Sequence, residues 1–287
     1  MMLTPSLIKF VAISSVFLLV VSIGLQARVG ATLQVLSDAG DRRKLFGALL
    51  AMFVGVPALA FLVVRLGDLQ GPAAAALLAA SISPIAPFLP RKQWKVGGDP
   101  EWVTALQVTA TILSVLLAPL FLALLNRAYG LSIEAPLGSM MTVLALTVLA
   151  PLLLGMLVQK ASPGAASRLA GPVGLVGTIL LAVVAILILA GMWPALAAAA
   201  TTQLLPASLV LSIGGVLLGH LLTAGPRSDR TASAMASVSR HPGVAIILAS
   251  AALGGTQAVL VADVLFFVLV ATAVLAAYQF LLRQAEA

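Results

Sequence analysis

Two short stretches hold most of the residues in this sequence that could do chemistry. One reads Ala80-Ser81-Ile82-Ser83-Pro84-Ile85-Ala86-Pro87, with Pro90 shortly after; the other reads Ala236-Ser237-Val238-Ser239-Arg240-His241-Pro242-Gly243. Both run Ala-Ser-(Ile/Val)-Ser into residues that break helices, because proline has no backbone N–H and clashes with the preceding turn. The chemistry on offer is recognition of an anion. Arg240 supplies fixed positive charge, and Ser81, Ser83, Ser237 and Ser239 supply hydroxyls for a ligand or for backbone freed at the breaks. His241 titrates near neutrality, so it is available either for proton coupling or for a hydrogen bond to a freed carbonyl. Hydrolytic or metal chemistry would need paired carboxylates, an H-E-x-x-H-type cluster or a serine with a placed base. Two histidines far apart in sequence and few interior acids supply none of these, so no catalytic and no metal-binding residue is assigned.

The elements that must position these groups are membrane helices. Of the 287 residues, 61% are apolar and 9% charged, and the mean hydropathy is +1.15. A soluble domain carries about 25% charged residues. A soluble protein, a disordered chain and a nucleic-acid binder are therefore excluded despite the net charge of +7. The absence of cysteine excludes disulfides and thiolate-ligated metals. A membrane-spanning helix needs about 20 mostly apolar residues. Nine stretches qualify, at about 7–26, 45–66, 72–90, 101–126, 137–159, 171–192, 202–224, 231–254 and 257–282. The expectation is an all-α polytopic membrane protein with about nine transmembrane helices in a single transmembrane domain over 1–287. If nine spans alternate, twelve basic residues (among them Arg28, Arg42, Lys44, Lys95, Arg168 and Arg283) share one side and only Lys9, Arg65 and Arg127 the other. That asymmetry predicts an outside N-terminus and a cytoplasmic C-terminus. The length of the first apolar stretch and the basic residues after it favour a retained span over a cleaved signal peptide.

The two motifs sit in spans 3 and 8, which would run in opposite directions. Unwound backbone at membrane depth persists only where protein or a water-filled cavity satisfies it. Matched interrupted helices in two halves of a chain mark the binding site of a secondary transporter. Pro84, Pro87, Pro90, Pro242 and Gly243 are the expected breaks. Arg240 falls about ten residues into its span, roughly 15 Å deep at about 1.5 Å per residue. Insertion scales put the cost of arginine there at no less than about 2.5–3.5 kcal/mol, which points to function. Three roles stay open: contact with an anionic substrate beside the positive ends of half-helices, a static ion pair with Asp263, or a switchable pair or snorkelling side chain. In Gly98-Asp99-Pro100-Glu101 the residue types are those of a helix start, with Asp99 as N-cap and Pro100 in the first position. Trp94 and Trp102 are expected at the membrane interface, and His220 near it.

At these residues the chain resembles the bile acid:sodium symporter superfamily, which includes arsenical-resistance exporters and organic-anion transporters. Ser22-Ile23-Gly24-Leu25 resembles the Met-Gly-Leu segment of the first shared helix, and Pro57 sits where the next helix has a proline. Gly98-Asp99, 14 residues beyond Pro84, is similar to the Gly-Asn/Asp that follows the first crossover. Arg230 through Arg240-His241-Pro242-Gly243-Val244-Ala245 resembles the second crossover. The resemblance implies a panel and a core domain built from inverted repeats, the first about 1–130 and the second about 135–287. It also implies alternating access, a small organic anion as substrate, the cell membrane as location and no cofactor. Nine spans match the variant lacking the first helix of the ten-helix form. Sodium-coupled members place an Asn in the first crossover and a Glu and a Gln in the second; by spacing these fall on Pro90, Ala236 and Arg240. A guanidinium repels sodium, so coupling through those positions is doubtful, and the coupling ion, proton or sodium, stays open. A monomer suits this architecture. The alternative reading is an integral-membrane enzyme, or a sensor or scaffold that transports nothing.

Overall fold

A computed structural model describes residues 5–129, 142, 145–254 and 257–284. The start of the expected fifth span and the expected repeat boundary at 130–135 lie outside the described residues. What is described is helical, with an isolated β-bridge as the exception to all-α structure. Helix α1 covers Pro5–Gln26. A short α2, Val29–Ser37, follows where the sequence reads as a loop. Helix α3 spans Ala39–Leu66. Asp38 caps it, its carboxylate accepting the Asp41 N–H at 2.9 Å.

Inside α3 the turn Ala51–Gly55 is a π turn, in which Val56 N–H reaches back to Ala51 O. The next N–H in that register would belong to Pro57, which has none. The Met52 carbonyl is thereby left without a donor inside its own helix. A second π turn, Ala145–Leu149, precedes Pro151 in the same way at the start of α7, Ala145–Ala161.

The remaining elements are α4 Gly71–Ile82, α5 Leu89–Lys95 and α6 Pro100–Tyr129, then α8 Pro163–Gly191 and α9 Trp193–Ala199. The chain closes with α10 Leu204–Leu222, α11 Arg227–Val238, α12 Pro242–Ala252 and α13 Ala258–Gln284. Asp99 caps α6, its carboxylate accepting the Trp102 N–H at 2.7 Å. Among the described residues five helices are long and apolar enough to cross a membrane: α3, α6 over Pro100–Leu117, α8, α10 and α13. Shorter apolar helices lie in α1, α4, α7 and α12. The protein is an all-α, multi-pass membrane protein.

Two helix groups pack separately. Helix α1 lies along α7 and α8, with small clusters around Ile23, Leu152 and Val20, which Val108 of α6 joins, and around Leu25, Ala166 and Ala170. In lipid such association comes from close packing more than from hydrophobic transfer, which favours small residues at crossings. Gly24 and Gly155 meet this need, since a Cβ on either would strike the backbone of the facing helix. The larger core joins α3, α4, α6 and α10–α13 through Met52, Leu77, Ile85, Leu106, Leu211, Met235 and Leu248 among others.

Three polar or aromatic residues make contacts that the sequence does not reveal. Trp102 is 1% exposed, packed in the core, with the Lys44 ammonium 5.7 Å from its ring. Lys44, counted above as a loop charge, bonds Asp41 at 2.7 Å and Asp229 at 3.0 Å. His220 Nδ1 lies 2.6 Å from the Tyr278 hydroxyl, a contact that ties the last turn of α10 to α13.

Candidate functional site

The chain leaves helical geometry between Ile82 and Leu89, and again between Val238 and Pro242. The two unwound segments pair antiparallel at Ile85 and Arg240. Ala86 N–H donates to Ser239 O and His241 N–H to Pro84 O, each at 2.9 Å. The Gln107 side chain, from α6, donates to Ile85 O at 3.4 Å. Each break thus satisfies backbone that the other leaves open, as unwound chain at membrane depth requires.

Arg240 sits at this crossing, 3% exposed. Its guanidinium donates to three main-chain carbonyls: Nε to Ser237 O at 3.1 Å, Nη1 to Ser83 O at 3.0 Å and Nη2 to Met52 O at 2.9 Å. Each acceptor lacks a helical donor for a local reason. Ser83 lies past the end of α4, and the residue four further on is Pro87. The donor that would have served Ser237, His241 N–H, is taken by Pro84. Met52 is orphaned by Pro57 as described above. Two of the three carbonyls belong to half-helix C-termini, which each carry about half a negative charge. Together they approximate one negative charge, enough to balance the guanidinium. Among the described residues Arg240 makes no ion pair with Asp263.

The other sequence-derived residues distribute unevenly around the crossing. Ser81, Ser83 and Ser237 are buried and turn their hydroxyls onto carbonyls of their own helices, Leu78, Ala80 and Ser233, at 2.6, 3.0 and 3.0 Å. Ser239 takes part through its carbonyl. His241 caps α12: Nδ1 accepts the Val244 N–H at 3.4 Å, while Nε2 is buried without a partner. Pro242 occupies the first turn of α12 and Gly243 lies against the His241 ring. Asp263 lies apart, on a cavity of about 470 Å³ shared with Asp68, Gln70, Thr202 and Gln203 near the ends of α3 and α9.

At the opposite end of the helices a cavity of about 670 Å³ opens between the α1–α7–α8 group and the core, lined by Gln26, Arg28, Glu101, Thr104, Gln159 and Ser167 among others. Gln26 also borders a second, narrow gap lined by Ser22, Thr178, Pro87 and Pro90 among others. The first break therefore faces the α1 and α8 surface, whereas Arg240 and His241 line none of these cavities. Among the described residues no group of three His, Asp or Glu could hold a metal ion.

The sequence reading missed a polar stripe on α6. Thr104, Gln107, Thr111 and Ser114 are all buried at helical spacing, and Gln107 Oε1 and Ser114 Oγ have no partner among the described residues. The signal was available as polar residues three and four apart in an otherwise apolar span.

A helical bundle in the membrane, with two interrupted helices crossing beside a cavity between helix groups, has the build of a secondary transporter. The model of the sodium bile acid symporter family matches residues 13–198. The chain belongs to that family, and it is a symporter-like transporter. The match ends before α11 and α12, so Arg240 lies beyond it. No curated protein matches the chain.

Proposed function

We propose that the protein moves a small organic anion across the cell membrane by alternating access, the α1–α7–α8 group serving as panel and the remaining helices as core. The observation that carries this reading is the crossing of two broken helices, pinned by the Ala86–Ser239 and His241–Pro84 bonds, with Pro87 and Pro90 after the first break facing a gap against α1 and α8. Nine spans in inverted repeats over about 1–130 and 135–287 would give the crossing its opposed directions. The basic face that carries the cavity is then cytoplasmic, with the N-terminus outside. An anionic substrate fits the amide and hydroxyl groups of Gln26, Gln159, Ser167 and Thr104 around the cavity, where Arg28 is shared with Glu101 at 3.6 Å. In this reading Arg240, bound to the Ser83 and Ser237 carbonyls, holds the crossing together, Ser81 bonds within its own helix, and the substrate is met by the cavity side of the first break. Sodium is not the driving ion through the positions at Pro90, Ala236 and Arg240.

The test is uptake of labelled carboxylates into proteoliposomes, with no gradient and with a proton or a sodium gradient. Saturable uptake supports the reading. Absence of transport under every gradient, together with substrate turnover in detergent, sinks it in favour of a membrane enzyme.

A further inference from the structure

Carbonyls at the broken ends of membrane helices are the usual ligands for a transported or coupling cation. Arg240 gathers two of them, from Ser83 and Ser237, with a third orphaned carbonyl, Met52 O, from the π turn of α3. Each is orphaned by a feature written into the chain: Pro87, Pro57 and the diversion of His241 N–H to Pro84. These features make a cation site whatever fills it, because buried carbonyls without donors are costly.

We infer that Arg240 is a built-in cation: its guanidinium permanently occupies a carbonyl-lined monovalent-cation site at the crossing, in place of an exchangeable ion. The fit is geometric as well as electrostatic. A planar fork offers several N–H groups in fixed directions, and three of them reach carbonyls at 2.9–3.1 Å. The balancing negative charge comes from two half-helix C-termini, so no carboxylate is needed beside the arginine. This accounts for the separation of Asp263 from Arg240. The charge also ties together three segments, α3, the first break and the second, which an exchangeable ion would tie only when bound. The crossing is therefore organised at all times, and the transport step runs without binding or release of a cation there. That last consequence rests on the transporter reading; the occupancy of the site does not.

The experiment measures thermal stability of the purified protein in detergent, for wild type, Arg240→Ala and Arg240→Lys. The probes are guanidinium chloride, sodium chloride and choline chloride at equal, millimolar ionic strength. Wild type is expected to show the same Tm in all three salts. The alanine variant should lose roughly 10 °C, from several carbonyls left without donors, and recover about half of that loss saturably in guanidinium, which re-enters the vacated site. The lysine variant should fall between the two and ignore guanidinium, since it keeps a tethered charge. An alanine variant as stable as wild type, or one depressed and indifferent to guanidinium and sodium alike, overturns the inference. So does a saturable sodium-induced rise in wild-type Tm. If the alanine variant yields no folded protein, Arg240→Met and Arg240→Lys decide: folding of lysine alone supports a required charge, and equal behaviour of the two overturns it. A protein that transports nothing refutes the proposed function and leaves this stability measurement intact.

Discussion

Lys44 and Asp229 form a charge pair whose two halves are predicted to be very unequal when removed. Asp229 lies in the first turn of α11 and is 2% exposed. Lys44, on α3, reaches its Oδ2 at 3.0 Å and Asp41 Oδ1 at 2.7 Å. The lysine stem is fixed against Gly225, where φ is +95° and an added Cβ would strike the stem. Lys44→Met keeps that stem and deletes the charge, leaving the Asp229 carboxylate buried with no cation. Breaking a buried pair in this way costs about 3–5 kcal/mol. The α11 N-terminus returns about 0.3–1 kcal/mol to the stranded carboxylate, so the net loss is about 2–5 kcal/mol, or roughly 4–20 °C in Tm at about 2–4 °C per kcal/mol. Asp229→Asn leaves Lys44 its second carboxylate, the partly exposed Asp41, and the expected loss is only about 1–2 kcal/mol. The sharper expectation concerns the pair together. With the lysine charge gone, Asp229→Asn removes the uncompensated buried charge, so Lys44→Met with Asp229→Asn should be more stable than Lys44→Met alone. The assay is the midpoint of heat-induced loss of the monodisperse peak in detergent, at low salt. A double variant less stable than Lys44→Met, or an Asp229→Asn loss equal to that of Lys44→Met, refutes the reasoning.

The crossing of α1 and α7 leaves no room at Gly155, so Gly155→Val should abolish folded protein, while Gly164→Ala, which meets nothing within 4 Å, should leave Tm and uptake unchanged. As cap of α12, His241 is predicted to tolerate Asn, which caps equally well, whereas His241→Ala should lose about 1 kcal/mol, read as roughly 2–4 °C in Tm. If instead His241→Asn keeps its Tm but flattens the pH profile of uptake, the residue couples protons rather than merely capping. Ser167 lines the large cavity, its hydroxyl donating to Gly164 O at 3.0 Å. Ser167→Trp should therefore cut carboxylate uptake several-fold with Tm unchanged, and normal uptake in that variant would remove the cavity from the substrate path.

Much of the architecture is legible from sequence because the forces behind it are local. Twenty apolar residues in a row insert wherever they occur, and helices ending near Pro84 and Pro242 follow from the missing N–H of proline alone. The cap at Asp99 is equally local, and its bond to Trp102 N–H is present. The polar stripe of Thr104, Gln107, Thr111 and Ser114 is written in spacing and needs only a helix to reveal it. The partners of Arg240 were of another kind. From sequence its choices were a substrate anion, the carboxylate of Asp263 or the membrane surface, because those are what side-chain identities suggest. Its partners are instead main-chain carbonyls, which every residue carries and which no sequence distinguishes. Which carbonyls are orphaned depended on a π turn before Pro57 and on the two breaks meeting, with Ser83 157 and Met52 188 residues away from the arginine in sequence. The Lys44–Asp229 pair, 185 residues apart, is likewise a product of α3 lying against α11. Composition and proline placement determined by themselves that the chain enters a membrane and where its helices break. Only the tertiary structure decided what fills the breaks, because the acceptors that surround a buried charge are created by chain segments meeting in space.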